Sequence, residues 1–234
     1  MTDHKITIAI DGFSSTGKST VAKQLAKALS YVYVDTGAMY RAITLYAMRK
    51  GYIKTDSFDV ASLIKDLSSL NLKFVFDAGL GYAAIYLNEE NVEDEVRTLE
   101  VSQYVSRVAA VSEVREKLVA QQQEMGLEKG VVMDGRDIGT VVFPKAELKI
   151  FMTATAEERA QRRFKEMKEK GQDVNYEEVL KNVTDRDHLD TTRADSPLVK
   201  AKDAVEIDNS ALNIEQQFQK ILQLADAKIA AHNN

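Results

Sequence analysis

The chain has 234 residues, 44% of them hydrophobic and 29% charged, with a formal net charge of −5 and no cysteine. That length suits one core carrying insertions better than two independent domains, and the balance is that of a soluble globular protein. A disulfide scaffold and thiolate metal sites are excluded, and the negative balance argues against a broad electrostatic grip on a nucleic acid polymer.

Taken in order, the opening Met1-Thr2-Asp3-His4-Lys5 lacks the long apolar core of a signal peptide, and no apolar run approaches the length of a membrane span. A cytoplasmic protein with no membrane partner is expected. The apolar run Ile6 to Ile10 then leads into Gly12-Phe13-Ser14-Ser15-Thr16-Gly17-Lys18-Ser19, followed by Thr20 and an amphipathic segment with Val21, Leu25, Ala28 and Leu29 at helical spacing. This fits GxxxxGK[ST] between a strand and a helix. Glycines let the backbone wrap an anion, N–H groups at the helix start face phosphate oxygens, and Lys18 adds a full positive charge. Ser19 would place a hydroxyl on a magnesium ion. Next, Tyr31 to Val34 reads as a second strand ending at Asp35-Thr36-Gly37 and feeding a helix from Ala38 to Lys50. Strand ends that feed helices are where open α/β sheets bind ligands, which places Asp35, Thr36, Tyr40 and Arg41 for a second ligand. For Tyr40, plain core packing is the alternative.

A helix is expected from Asp59 to Leu70, and then the pattern changes. Leu72 to Phe76, Ala83 to Leu87 and Asn91-Val92 read as short consecutive strands joined by turns, an inserted antiparallel subdomain. From Arg97 helices return, carrying Ser106 and Arg115. Val131 to Met133 then form a short apolar strand ending in Asp134, followed by Gly135-Arg136-Asp137-Ile138-Gly139-Thr140. An acid at the tip of a buried strand near a phosphate loop positions magnesium or its waters, or else caps a tight turn; Asp134 and Asp137 are the candidates. Leu148 to Met152 is another strand, Thr155 starts a helix to about Lys170, Gly171 breaks it, and Asn175 starts another that leads to Arg193. Ala204 to Asp208 is the last core strand, before a closing helix with Ile214, Phe218, Ile221 and Ala225.

Six of the eleven arginines (Arg136, Arg159, Arg162, Arg163, Arg186 and Arg193) fall between residues 136 and 193. Arginine's planar fork suits phosphate, so this concentration suggests a second anion-handling surface, with solvated helix faces as the alternative. Two basic helices around a glycine make a plausible lid, closing over a nucleotide to exclude water. There is no Asn-Lys dipeptide, so the guanine-reading signature of a phosphate-loop GTPase switch is absent.

The ordered set of phosphate loop, DTGAMYR, DGRDIGTVVFP and a terminal RD followed by TTR resembles the bacterial cytidylate kinases, the CMP/dCMP kinases of the nucleoside monophosphate kinase group, over nearly the whole chain. The resemblance implies an α/β fold: a five-stranded parallel sheet flanked by helices, with core at about 1–70, 96–154 and 196–234, a small antiparallel monophosphate-binding insertion at about 71–95 and a helical lid at about 155–195. It implies ATP as phosphoryl donor with Mg²⁺, held by Gly12 to Thr20 with Lys18 on the β and γ phosphates. Thr36, Arg41, Ser106, Arg115, Arg136, Asp137, Arg186, Asp190 and Arg193 match its acceptor-nucleotide contacts. Within that set, Ser106, Arg115 and Asp137 match the cytosine readers. Lys18, Arg136, Arg159, Arg163 and Arg186 are the expected catalytic cations. Ser19 is the expected Mg²⁺ contact, with Asp134 acting through water. The partners implied are small-molecule nucleotides, and the oligomeric state a monomer. A kinase for another acceptor, such as UMP, AMP or shikimate, is the nearest alternative. Phe13 and Ser15 stand where the family loop often carries proline and glycine.

Overall fold

A computed structural model describes residues 5–232; the reading of residues 1–4 as no part of a signal peptide lies outside them. The chain forms two compact units, one of residues up to Val34 with those from Gln122 onward, the other Asp35–Gln121.

The first unit is built on a five-stranded sheet. Its strands are β1 (Thr7–Gly12), β2 (Val32–Asp35, whose last residue belongs to the second unit), β8 (Val131–Gly135), β9 (Leu148–Thr153) and β10 (Val205–Asp208), in the order β10-β9-β1-β8-β2. β1 runs parallel to both β8 and β9, and β9 runs parallel to β10. Every residue of β1 is buried, the mark of a central strand covered on both faces, and this is why its sequence is apolar almost without alternation. Ile6, Ile8 and Ile10 pack with Leu148, Ile150 and Met152 against Val21 and Leu25 of α1 (Lys18–Leu29) and Ile221 and Ala225 of α8 (Ile214–His232). The same unit holds α6 (Ala156–Glu169) and α7 (Tyr176–Thr192). Thr155 accepts from Glu158 N (3.2 Å) and Asn175 from Glu178 N (2.8 Å), so both helices start where a side-chain oxygen satisfies a first-turn donor. Gly171, at φ 73°, ends the first of them as expected.

The second unit contains α2 (Thr36–Arg49), a hairpin of β3 (Ile53–Lys54) and β4 (Ser57–Phe58), and α3 (Val60–Asp66). These are followed by an antiparallel sheet β5-β6-β7 (Leu72–Asp77, Tyr82–Leu87, Glu90–Asn91) and by α4 (Leu99–Ala109) and α5 (Ser112–Met125, whose end from Gln122 belongs to the first unit). The antiparallel sheet was expected, with two corrections nearby. The helix read from Asp59 to Leu70 stops at Asp66 and tightens into a 3₁₀ turn over Leu67–Ser69, closed by Leu70 N donating to Leu67 O. The third strand is Glu90–Asn91 rather than Asn91-Val92. Asp35 caps α2 by accepting from Ala38 N (3.0 Å), and Arg97 bridges it (2.8 Å) to Glu93 (2.8 Å), which accepts from Ile85 N of β6 (3.1 Å). One guanidinium thereby ties the start of α2 to the small sheet. Among the described residues, no helix is long and apolar enough to cross a membrane.

Candidate active site

In the first unit the C-terminal ends of β1, β8, β9 and β10 carry the polar residues, on either side of the point where the strand order reverses. The loop from Gly12 to Gly17 is shaped by its main chain. Gly12 has φ 144°, and a Cβ there would lie 2.1 Å from Met152 O of β9, so only glycine lets the two strands approach. Ser15 adopts φ 59°. This left-handed conformation explains why glycine is the common residue there, and serine bears a modest strain in its place. Phe13, the other departure, packs edge-on to Phe151 with centroids 6.2 Å apart, and its ring lies 5.1 Å from the Arg159 guanidinium carbon.

Lys18 opens α1 and is buried. Its ammonium donates to Phe13 O and to Thr16 Oγ1 (3.2 Å), both neutral oxygens. Burial first, and then the charge of Arg136, push its pKa down to about 7, against the pull of Asp134 and Asp11. A cation so placed is completed by an anion. Ser14 Oγ in the same loop is buried with no hydrogen-bond partner among the described residues, so the loop offers both a charge and a spare hydroxyl to a phosphate group. Ser19 Oγ donates to Asp134 Oδ2 (3.0 Å), and Tyr33 OH donates to Asp134 Oδ1 (2.9 Å). The serine and the strand-tip acid, 115 residues apart, are therefore direct neighbours, a hard-oxygen pair suited to Mg²⁺. Among the described residues no group of three or more His, Cys, Asp or Glu could hold a metal unaided, so further ligands would come from the nucleotide itself. Thr20 follows in α1 and is exposed.

Three arginines of this unit lie against carboxylates. Arg136 Nε donates to Asp190 (2.9 Å), and Arg193 lies 4.0 Å from the same acid. Burial alone would raise Asp190, but Arg136, Arg186 and Arg193 more than offset it and keep its carboxyl below the ordinary range. Arg186 is buried and is pushed down to about 9, by burial first, then by Arg136, with Arg163 adding to it. Arg159 is clamped by both oxygens of Asp187 and also donates to Ser14 O (3.3 Å) and Ala154 O (3.0 Å), which joins α6 and α7 to the phosphate loop. Arg162 instead bonds Asn209 (3.0 Å) and supports the turn after β10. Asp137 is buried at the start of a π-helical turn, Ile138–Val142.

Two supports went unread in the sequence. Asp11, buried near the end of β1, accepts from Ile138 N (2.8 Å) and Gly139 N (2.7 Å), and burial, only partly countered by those two bonds, pushes it up to about 6. An acid ending an apolar strand was the available signal, the same one that singled out Asp134. Asn209 donates to Thr16 O and to Gln217 Oε1 (2.8 Å), bracing the loop from behind.

In the second unit, Thr36 is the first residue of α2 and is buried beside the Asp35 cap. Arg41, also buried, donates to Val96 O (3.1 Å). Ser106 is buried on α4. Arg115 of α5 donates to Ala109 O (3.2 Å), and its guanidinium lies 5.6 Å from the Tyr40 ring of α2. The unit thus gathers buried arginines and hydroxyls on three helices, and Tyr40 packs against one of those arginines.

The model of the cytidylate kinase family matches residues 8–227. A cytidylate kinase of Flavobacterium johnsoniae is 66% identical over 222 residues, covering 95% of this chain and 96% of that protein. One from Flavobacterium psychrophilum is 64% identical over 95% of this chain and 98% of its own length, and one from Bacteroides fragilis 57% identical over 93% and 95%. With the phosphate loop, the Ser19–Asp134 pair and the arginine-bearing helices in place, the chain belongs to the cytidylate kinase family.

Proposed function

We propose that this protein transfers the γ-phosphoryl group of ATP to CMP or dCMP, giving ADP and CDP or dCDP. The observation that carries the reading is Lys18, a buried ammonium at the start of α1 bonded, among the described residues, to the neutral oxygens of Phe13 and Thr16, in a chain of this family. An acceptor monophosphate oxygen bonds to the γ-phosphorus as the bond to the bridging oxygen breaks. With a second pKa near 6 that oxygen is already largely ionised at neutral pH, so no strong general base is required. The protein's task is alignment and charge neutralisation.

Gly12 to Thr20 would hold the donor phosphates, with Lys18 and the Ser14 hydroxyl as donors to them. Ser19 and Asp134 would hold Mg²⁺, which supplies charge neutralisation on the phosphates when bound. Arg136, Arg163 and Arg186 would meet the moving phosphoryl group, and Arg159, through its clamp on Asp187, would fix α6 and α7 as the lid at about 155–195. Thr36, Arg41, Arg193 and Asp190 would take the acceptor's phosphate and ribose. Ser106, Arg115 and Asp137 would read the base, because a carboxylate accepts from cytosine's amino group and a guanidinium serves its O2 and N3. The antiparallel sheet at about 71–95 would be the monophosphate-binding insertion. A cytoplasmic monomer completes the proposal.

An ADP-release assay with ATP, Mg²⁺ and a panel of CMP, dCMP, UMP, AMP, GMP and shikimate tests it. Turnover concentrated on CMP and dCMP is expected. Turnover on another acceptor would retain the kinase and overturn the roles of Ser106, Arg115 and Asp137.

A further inference from the structure

Arg136 and Asp137 lie on a short arch. One end is anchored where Gly135 closes β8, in register with Asp11 of β1. The other end is the π-helical turn Ile138–Val142, in which Val141 N donates to Asp137 O (2.8 Å). The first N–H groups of such a turn have no partner within it and need an acceptor from outside. Asp11 supplies one for each: Oδ1 takes Ile138 N (2.8 Å) and Oδ2 takes Gly139 N (2.7 Å). The carboxylate is 4% exposed, so water does not compete for the two donors. Glycine at 139 suits the approach: a Cβ there would stand 3.3 Å from Asp11 Oδ2 and 3.1 Å from Lys149 Cδ, tighter than ordinary contact.

From this geometry we infer that Asp11 is a positioning residue for acceptor recognition, fixing through two main-chain bonds the arch from which Arg136 and Asp137 project. The inference rests on the proposed role of those two residues as acceptor contacts. Asp11 touches neither nucleotide in this scheme. It removes the freedom of the backbone that does, and a loss of that constraint acts on acceptor binding before it acts on the phosphate loop.

Asp11→Asn tests it. The amide keeps the shape but has one acceptor oxygen, so one of the two N–H groups would face another donor. Hydrogen bonds to a charged acceptor support an expected rise in KM for CMP of roughly tenfold or more. KM for ATP is expected to stay within about threefold, preference for CMP over UMP to fall, and amide exchange at Ile138 and Gly139 to accelerate in step. A folded variant with unchanged KM for CMP and unchanged selectivity overturns the inference, as does an equal rise in both KM values. Should the variant fail to fold, exchange in the wild type decides: protection of both amides at the level of β1 supports the grip, and exposed-loop rates overturn it. If the wild type leaves CMP untouched, the functional reading falls, while the exchange measurement still judges Asp11 by itself.

Discussion

The phosphate loop and the helices α6 and α7 belong to one compact unit and both gather positive charge, yet they hold it differently. In the loop, Lys18 bonds to Phe13 O, five residues away, inside a main-chain shape set by Gly12 and Ser15. Elsewhere in the unit two arginines are held by carboxylates distant in sequence: Arg159 of α6 by Asp187, 28 residues on, and Arg136, just after β8, by Asp190, 54 residues on. The loop is pre-shaped by backbone and leaves its cation without an acid of its own. These two arginines are already neutralised, so a phosphate that bound them would compete with Asp187 and Asp190. On the proposed roles the loop would be a standing site, whereas the arginine surface would have to exchange partners.

The sharpest break in this contrast is Gly12→Ala. Its Cβ would meet the Met152 carbonyl at 2.1 Å, and neither central strand can yield. A loss of about 4 kcal/mol in urea unfolding is expected, together with turnover. Lys18→Ala should instead cut kcat by about a hundredfold or more while leaving the melting temperature near that of the wild type, since the lost group is a buried cation. Near-normal turnover would remove Lys18 from the mechanism.

pH separates the two modes by sign. Asp11, pushed up by burial against the pull of its two main-chain N–H bonds and with Asp137 and Lys18 as charged neighbours, has a folded-state value of about 6 against 3.8 when unfolded. The unfolded chain gives up this proton first, so the group withdraws about 3 kcal/mol of stability as pH rises from about 4 to 6. Asp190, held by arginines, is shifted down, so its contribution is present above the unfolded value and is lost as pH falls below it. Unfolding profiles of the wild type and Asp11→Asn should converge near pH 4 and part toward pH 6; parallel profiles would reject the assignment. Asp187→Ala leaves the buried Arg159 without its acid and is expected to cost about 2 kcal/mol, with a lower kcat. Ser15→Gly, which relieves a left-handed serine, should gain at most about 1 kcal/mol and leave kcat unchanged.

The same contrast governs what the sequence made legible. The strand, loop and helix from Ile6 to Leu29 could be read because their determinants are neighbours. So could α6 and α7, through Thr155, Gly171 and Asn175. Asp11's grip on Ile138 joins residues 127 apart, and no local pattern announces it. The ring of Phe13 beneath Arg159 was equally hidden: a departure from proline was visible, but not what the ring would touch. The hairpin β3-β4, with two residues in each strand, is too short for alternation to register. Candidate site residues could be named where a motif marks them, and the contacts that support them were missed where only tertiary packing creates them.

Asn209 carries one further consequence. Its side chain holds the carbonyl of Thr16 across 193 residues, and β1 itself is flanked by strands that begin at Val131 and Leu148. The loop leaves the ribosome early, but its braces emerge much later. During synthesis the emerging chain therefore carries the phosphate-binding motif for most of its length without the means to hold its shape. Nucleotide capture then becomes an event of completed folding rather than of early translation.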